Sequence, residues 1–259
     1  MKDLQGKIVL VTGASRGIGR AIALAFADAG SRVVLAGRSQ GTLAEVATEI
    51  DRRGGAPLAI ACDVTQQPEV ADLKHAIAER FGSVQILVNN VGMAPAAGFL
   101  EMEDSLWEEV LRVNLTSTYR CCKAFLGEMV AARWGRIINI ASTVAKVVYP
   151  HISAYATSKH AVLGLTRSLA LESAKFGVTV NAVCPGYVNT ELTRQNAQRM
   201  AGKLGKSVDE ALDLFRSSCP QRRLIEPEEV ASLTIMLASA SAGGITGQAI
   251  NVDGGAVMM

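Results

Sequence analysis

With 259 residues and 49% hydrophobic side chains, the chain is long enough to bury a substantial core as a single alternating α/β unit. A formal net charge of +2, with no block of like charges, argues against nucleic acid or an anionic membrane as a partner. No apolar run reaches the roughly 18 residues of a membrane span and no signal peptide opens the chain. The five scattered cysteines show neither CxxC nor metal-ligand spacing, so the expectation is a cytoplasmic protein with reduced thiols and no metal.

The first predicted strand, 7–11, is a short apolar run that leads into Thr12-Gly13-Ala14-Ser15-Arg16-Gly17-Ile18-Gly19 and an alanine-rich helix over 17–29. Strand, glycine turn and helix in this order suit a nucleotide phosphate. The glycines let backbone approach the ligand, and the helix start offers unpaired N–H groups at the positive end of its dipole. A glycine-rich turn without a ligand is the plainer alternative. The second strand, 32–36, is followed by Gly37-Arg38, with no Asp or Glu to accept from a ribose 2′-OH. Arg38 and Arg16 can instead meet a 2′-phosphate through charge-assisted hydrogen bonds, which points to NADP(H) rather than NAD(H) unless both arginines are simply solvated.

The alternation continues with a helix at 39–53, a strand at 57–61, a helix at 67–81 and a strand at 85–88. A long helix is predicted over 104–131, then a strand at 136–140 that ends near Ser142, and a helix at 153–175. On that last helix Tyr155 and Lys159 are four residues apart and share a face. A lysine cation beside a phenol favours the phenolate and lowers a pKa that is ordinarily about 10, which would bring Tyr155 into range for proton transfer. Alone, such a pair is more often a solvated helix face. His160, next on the helix, reads as structural. Strands at 178–183 and 248–251 and a helix at 227–239 complete the pattern, interrupted by a polar excursion at 189–223 that reads as a lid. Apolar strands of this kind belong to a doubly wound parallel sheet, with the ligand crevice at the strands' carboxyl ends.

Taken together, TGASRGIG at 12–19, CDV at 62–64, NNVG at 89–92, Asn114, Ser142, Tyr155, Lys159 and Pro185-Gly186 resemble the short-chain dehydrogenase/reductase family from about residue 5 to residue 255. Val91 departs from the alanine common in NNAG. The resemblance implies a Rossmann-type fold and a tetrad. Tyr155 is the general acid, Lys159 lowers its pKa and binds the nicotinamide ribose, Ser142 holds the carbonyl, and Asn114 anchors a water in a proton relay. The alternative for Asn114 is a polar residue satisfied locally. The same resemblance implies cofactor contacts from Gly13, Ser15, Arg16, Gly17, Ile18, Gly19, Arg38, Asp63, Val64, Asn90, Gly92, Tyr155, Lys159, Pro185, Gly186, Val188 and Thr190, with Asp63 at the adenine.

Within the family, Ile140 to Thr143, Tyr155 to Gly164 and Val180 to Gly186 are similar to β-ketoacyl reductases, including polyketide ketoreductases, and to 3-hydroxybutyrate dehydrogenases. The expected activity is NADPH-dependent reduction of a 3-oxoacyl substrate to the 3-hydroxyacyl product. A 3-hydroxyacyl or secondary-alcohol dehydrogenase running oxidatively is the alternative, and a non-catalytic dinucleotide sensor is a third. Arg194, Arg199, Lys203 and Lys206 on the lid suit an anionic carrier such as CoA or acyl carrier protein, or merely a solvated face. The resemblance also implies a homotetramer. Apolar residues on several faces of the two long helices (Leu111, Leu115, Val162, Leu165, Leu169) and the apolar tail suit such an interface.

Overall fold

The computed structural model describes residues 2–259, leaving the Lys2 side chain aside. Seven strands form one sheet in the order β3-β2-β1-β4-β5-β6-β7, with every neighbouring pair parallel. They are β1 (Ile8–Thr12), β2 (Arg32–Gly37), β3 (Ala56–Ala61), β4 (Ile86–Asn89), β5 (Gly135–Ile140), β6 (Val178–Pro185) and β7 (Ala249–Val252). The helices are α1 (Gly17–Asp28), α2 (Gln40–Arg52), α3 (Gln67–Arg80), α4 (Asp104–Leu111), α5 (Ser117–Ala131), α6 (Ser153–Ser173), α7 (Glu191–Leu204), α8 (Val208–Ser217) and α9 (Pro227–Ala238).

Strand alternation sorts the core into two layers. Val9, Val11, Val33, Leu35, Ile86, Val88, Ile138 and Ile140 pack on one face against α1, α2 and α9. Ile8, Leu10, Val34, Leu87, Ile137 and Val180 pack on the other against α3, α5 and α6. Both faces are therefore apolar, which is why the central strands read as unbroken hydrophobic runs. From β1 the chain adds strands outward to β3, then returns to β4 on the other side of β1. The crevice at this reversal opens at the strands' carboxyl ends.

Two stretches differ from the sequence expectation. The helix anticipated over 104–131 is interrupted by a π turn at Arg112–Thr116, where the Ser117 N–H reaches the Arg112 carbonyl. A π turn carries an extra residue that the i→i−4 ladder does not accommodate. Here the hydroxyls of Ser117 and Thr118 donate to the carbonyls of Val113 and Asn114 at 2.5 and 3.1 Å. The polar excursion, to which the sequence assigns no regular element, folds as the helical pair α7–α8. Thr190 caps α7, Gly205 ends it in a left-handed conformation, and Ser207 with Glu210 forms a capping box for α8. The pair has its own small core of Ala197, Ala201, Ala211, Leu212, Phe215 and Leu224.

Its two ends are pinned together where they leave the sheet. Val188 bridges Ile225, the Asn189 N–H donates to the Ile225 carbonyl at 2.8 Å, and the Ile225 N–H donates to the Tyr187 carbonyl at 2.9 Å. Of the apolar residues expected to meet a partner subunit, three pack within the chain, while Leu111 and Leu165 are half-buried. Val162 is buried, with Leu115 packed on its cluster, and Leu169 packs on the core beneath the sheet. What stays apolar and exposed nearby is Leu171 and Tyr119, together with Met258 and Met259 of the tail.

Candidate active site

The glycine turn closes on itself at the carboxyl end of β1. Gly13 and Gly17 have φ of 65° and 53°, a conformation that favours glycine. Gly19 is needed for space: a Cβ there would lie 2.2 Å from the Gly13 carbonyl oxygen and 2.5 Å from Asn90 Nδ2. Arg16, at the N-cap of α1, is extended and makes no side-chain cap hydrogen bond, so this helix start keeps its first-turn N–H groups for a ligand. Ser15, Arg16, Arg38, Ser39 and Thr42 line a recess of about 270 Å³ beside it. Two guanidiniums and three hydroxyls thus surround one small volume. Ser39 and Thr42 were not singled out in the sequence, although their spacing marks the N-cap of α2.

Further along the crevice, Asp63 accepts from the Thr65 N–H at 2.9 Å. Burial pushes its pKa up, but that hydrogen bond and the charges of Arg112 and Arg38 hold it below the usual carboxylate value. Asn90 donates to the carbonyls of Thr12 and Gly13, both at 3.1 Å, and stitches β4 to the glycine turn. Val91 packs with the core under the sheet, its Cγ2 3.3 Å from where a Cβ on Gly13 would be. Gly92 sits against the catalytic candidates: a Cβ there would be 3.4 Å from Asn114 Oδ1 and 3.5 Å from Lys159 Nζ. Across the crevice, Thr190 Cγ2 approaches the corresponding point on Gly17 to 3.2 Å, so the entry to the α7–α8 pair touches the glycine turn. Gly186 lies close to Asp253, and Val188 is buried at the base of the pair.

Ser142, Tyr155 and Lys159 converge as expected. Ser142 follows β5, and its Oγ accepts from the Val144 N–H at 3.1 Å to cap a short 3-10 turn. Lys159 is buried and donates from Nζ to the Ile140 carbonyl at 2.9 Å. Its ammonium lies 5.9 Å from the Tyr155 ring centroid. The electrostatics, however, run opposite to the sequence expectation. Burial pushes the Tyr155 phenol up despite the opposing Ser142 hydroxyl, and burial pulls Lys159 down from 10.5 to about 8. Desolvation is the largest influence on both groups and favours the neutral form of each. The phenol therefore holds its proton across neutral pH.

Asn114 uses its side chain within the protein. Its Oδ1 accepts from the Met93 N–H at 2.8 Å, and its Nδ2 donates to the Met93 carbonyl and to Ser158 Oγ, both at 2.9 Å. The side chain is satisfied within the protein, which is the alternative that the sequence leaves open for this residue. Sequence reading also missed the aromatic mouth. Tyr187 stacks on Phe215 of α8 with centroids 4.2 Å apart, and Tyr149 stands near Tyr187. Beside Tyr149, Phe99 and His160 an apolar groove of about 540 Å³ opens along α6. Among the described residues, no cluster of His, Cys, Asp or Glu is placed to hold a metal, and no helix is long and apolar enough to cross a membrane.

A family model described as short chain dehydrogenase matches residues 7–201. The chain belongs to this family. A 3-oxoacyl-(acyl-carrier-protein) reductase of Vibrio harveyi is 38% identical over 258 residues, covering 99% of this chain and all of that protein. A D-beta-hydroxybutyrate dehydrogenase of Rhizobium meliloti is 37% identical over 254 residues, covering 96% and 98%. The crystal structure of a variant actinorhodin polyketide ketoreductase with NADPH superposes with a TM-score of 0.95 at 38% identity, over 99% of both chains. As a member of the short-chain dehydrogenases, with ketoacyl reductases among its relatives, the protein is an oxidoreductase.

The steric reading of the turn is testable with two alanines. Gly19→Ala is expected to weaken dinucleotide binding by at least about tenfold, since the new methyl must push the Gly13 carbonyl or the Asn90 amide aside. Gly41→Ala, in open space on α2, is expected to leave binding unchanged. Titration of cofactor fluorescence checks both, and equal affinities for the two variants would contradict this account of the turn.

Proposed function

We propose that the protein reduces a 3-oxoacyl substrate to the 3-hydroxyacyl product with NADPH, using Tyr155 as the proton donor. The observation that carries this reading is the meeting of Ser142, Tyr155 and buried Lys159 at the mouth of a dinucleotide crevice, with the Lys159 ammonium 5.9 Å from the Tyr155 ring centroid. The Tyr155 phenol suits donation to a developing alkoxide in the reductive direction. Ser142 holds the substrate carbonyl and stabilises charge on its oxygen. Lys159, anchored on the Ile140 carbonyl, stands where it can meet the ribose and repay the proton. NADPH, when bound, supplies the hydride.

The crevice fits that cofactor at several points. The Arg16–Arg38 recess suits a 2′-phosphate in charge and hydrogen-bond donors, and the uncapped start of α1 suits the pyrophosphate. Asp63 is proposed to meet the adenine, and Pro185, Gly186 and Thr190 to flank the nicotinamide, with Val64, Asn90, Gly92 and Val188 as further cofactor contacts. The α7–α8 pair serves as the substrate lid. On it Arg194, Arg199 and Lys203 are exposed, whereas Lys206 reaches Glu210 at 3.8 Å, so the first three are the residues to attract an anionic CoA or carrier-linked acyl group. The same residues run in reverse would oxidise a 3-hydroxyacyl compound, and the arginine pair, by favouring NADPH, supports reduction. The setting is cytoplasmic.

Tyr155→Phe keeps the ring and removes the proton, so kcat for a β-ketoester is expected to fall by a factor on the order of 10²–10⁴ while NADPH binding survives. Steady-state turnover checks this, and near-normal reduction by the variant would remove Tyr155 as the acid.

Arg38→Ala is expected to weaken NADPH by about one to two decades and leave NADH almost untouched, because only NADPH carries the 2′-phosphate. Comparing the two cofactors by fluorescence decides it. A wild-type preference for NADH would contradict the charge reading.

The assembly is proposed as a homotetramer, with Tyr119, Leu171, Met258 and Met259 as the apolar surface left to bury. Light scattering is expected to read near four times the 27.3 kDa chain mass. A monomer at micromolar concentration would rule this out.

A further inference from the structure

We propose that Ser158 is a positioning residue for Tyr155, its hydroxyl tying the π turn at Asn114 to the first turn of α6. The inference rests on the reading of Tyr155 as the acid.

The first turn of α6 needs such an anchor. Its N-cap, Ile152, supplies no side-chain hydrogen bond, and the buried Ser153 Oγ has no partner. Helix starts without a cap carry unsatisfied N–H groups and fray. Tyr155, third in the helix, stands in that turn.

Ser158 holds it from the next turn. The residue is fully buried, and its Oγ donates to the Tyr155 carbonyl at 2.7 Å while accepting from Asn114 Nδ2 at 2.9 Å. The direction of each bond is determined by the one before it. The Met93 N–H is a donor only, so it takes Asn114 Oδ1 and turns the amide NH₂ toward the Met93 carbonyl and Ser158. Nδ2 can only donate, so the Ser158 oxygen accepts and its proton goes to the Tyr155 carbonyl. The chain of bonds thus runs from the loop after β4, through the π turn, to the backbone of the proposed acid. This assigns the π turn a purpose that a regular helix would not serve, since the turn sets where Asn114 projects.

Removing the Ser158 hydroxyl leaves an Asn114 N–H buried with no acceptor and frees the uncapped turn. A displacement of about 1 Å at a reacting group can cost on the order of 100-fold in rate. Ser158→Ala is therefore expected to lower kcat by about 10- to 100-fold, with KM and NADPH affinity within about twofold of wild type. In a Tyr155→Phe background the same change is expected to cost less than about twofold, because the two changes act on one group. Ser158→Cys, close in size but a weak donor, is expected to fall between wild type and alanine and serves if Ser158→Ala does not fold.

A second readout does not need turnover. With 3-fluorotyrosine at the four tyrosines, the ¹⁹F resonance that disappears in Tyr155→Phe is expected to move in the Ser158 variants, while those of Tyr119, Tyr149 and Tyr187 stay in place. An unmoved Tyr155 resonance would overturn the proposal, as would wild-type kcat in both variants or an equal loss in the Tyr155→Phe background. If the wild type reduces no β-ketoester, the functional reading fails, and the Tyr155 resonance alone decides whether Ser158 places that side chain.

Discussion

Asn90 spans the gap between β1 and β4, giving one amide to two carbonyls on the glycine turn, and its own N–H takes Thr12 Oγ1 at 3.0 Å. This is the point where the chain reverses its direction of building and where helices leave to opposite faces of the sheet. An open crevice between neighbouring strands would otherwise leave their last polar groups without partners. The stitch satisfies them and fixes the turn, so that the start of α1, the Arg16–Arg38 recess and Gly92 take up their places around it. Everything proposed for the site depends on those placements.

Features that depend on neighbours in sequence were the legible ones. The glycine turn, the arginine after β2 and the Tyr155–Lys159 pair are each contained in a few residues, and the seven strands follow from uninterrupted apolar runs. Features that depend on distant partners were not. Sequence alone does not name the partners of Asn114, because Met93 and Ser158, which use its amide, are 21 and 44 positions away. The π turn leaves no mark on hydrophobic spacing because one inserted residue rotates the faces without erasing them. The polar stretch after β6 hid two helices, since their shared core is small, with three alanines beside Leu212, Phe215 and Leu224, and the remaining positions are largely polar.

Burial decides the electrostatics of the site more than pairing does. Sequence spacing suggests that Lys159 lowers the tyrosine, yet both groups are desolvated and each moves toward its neutral form. Cys184, in the same pocket of buried groups, moves up as well, against the charges of Lys146 and Lys159.

The central claim is that hydride reaches the substrate's C3 while Tyr155 protonates its oxygen. Single turnover with NADPH deuterated at the transferring C4 position and a 3-oxoacyl thioester tests it directly. The account predicts one deuterium on the carbinol carbon of the 3-hydroxyacyl product, with a primary isotope effect on its formation. Oxidation of the cofactor that leaves no deuterium in the product, or no oxidation at all, would contradict it.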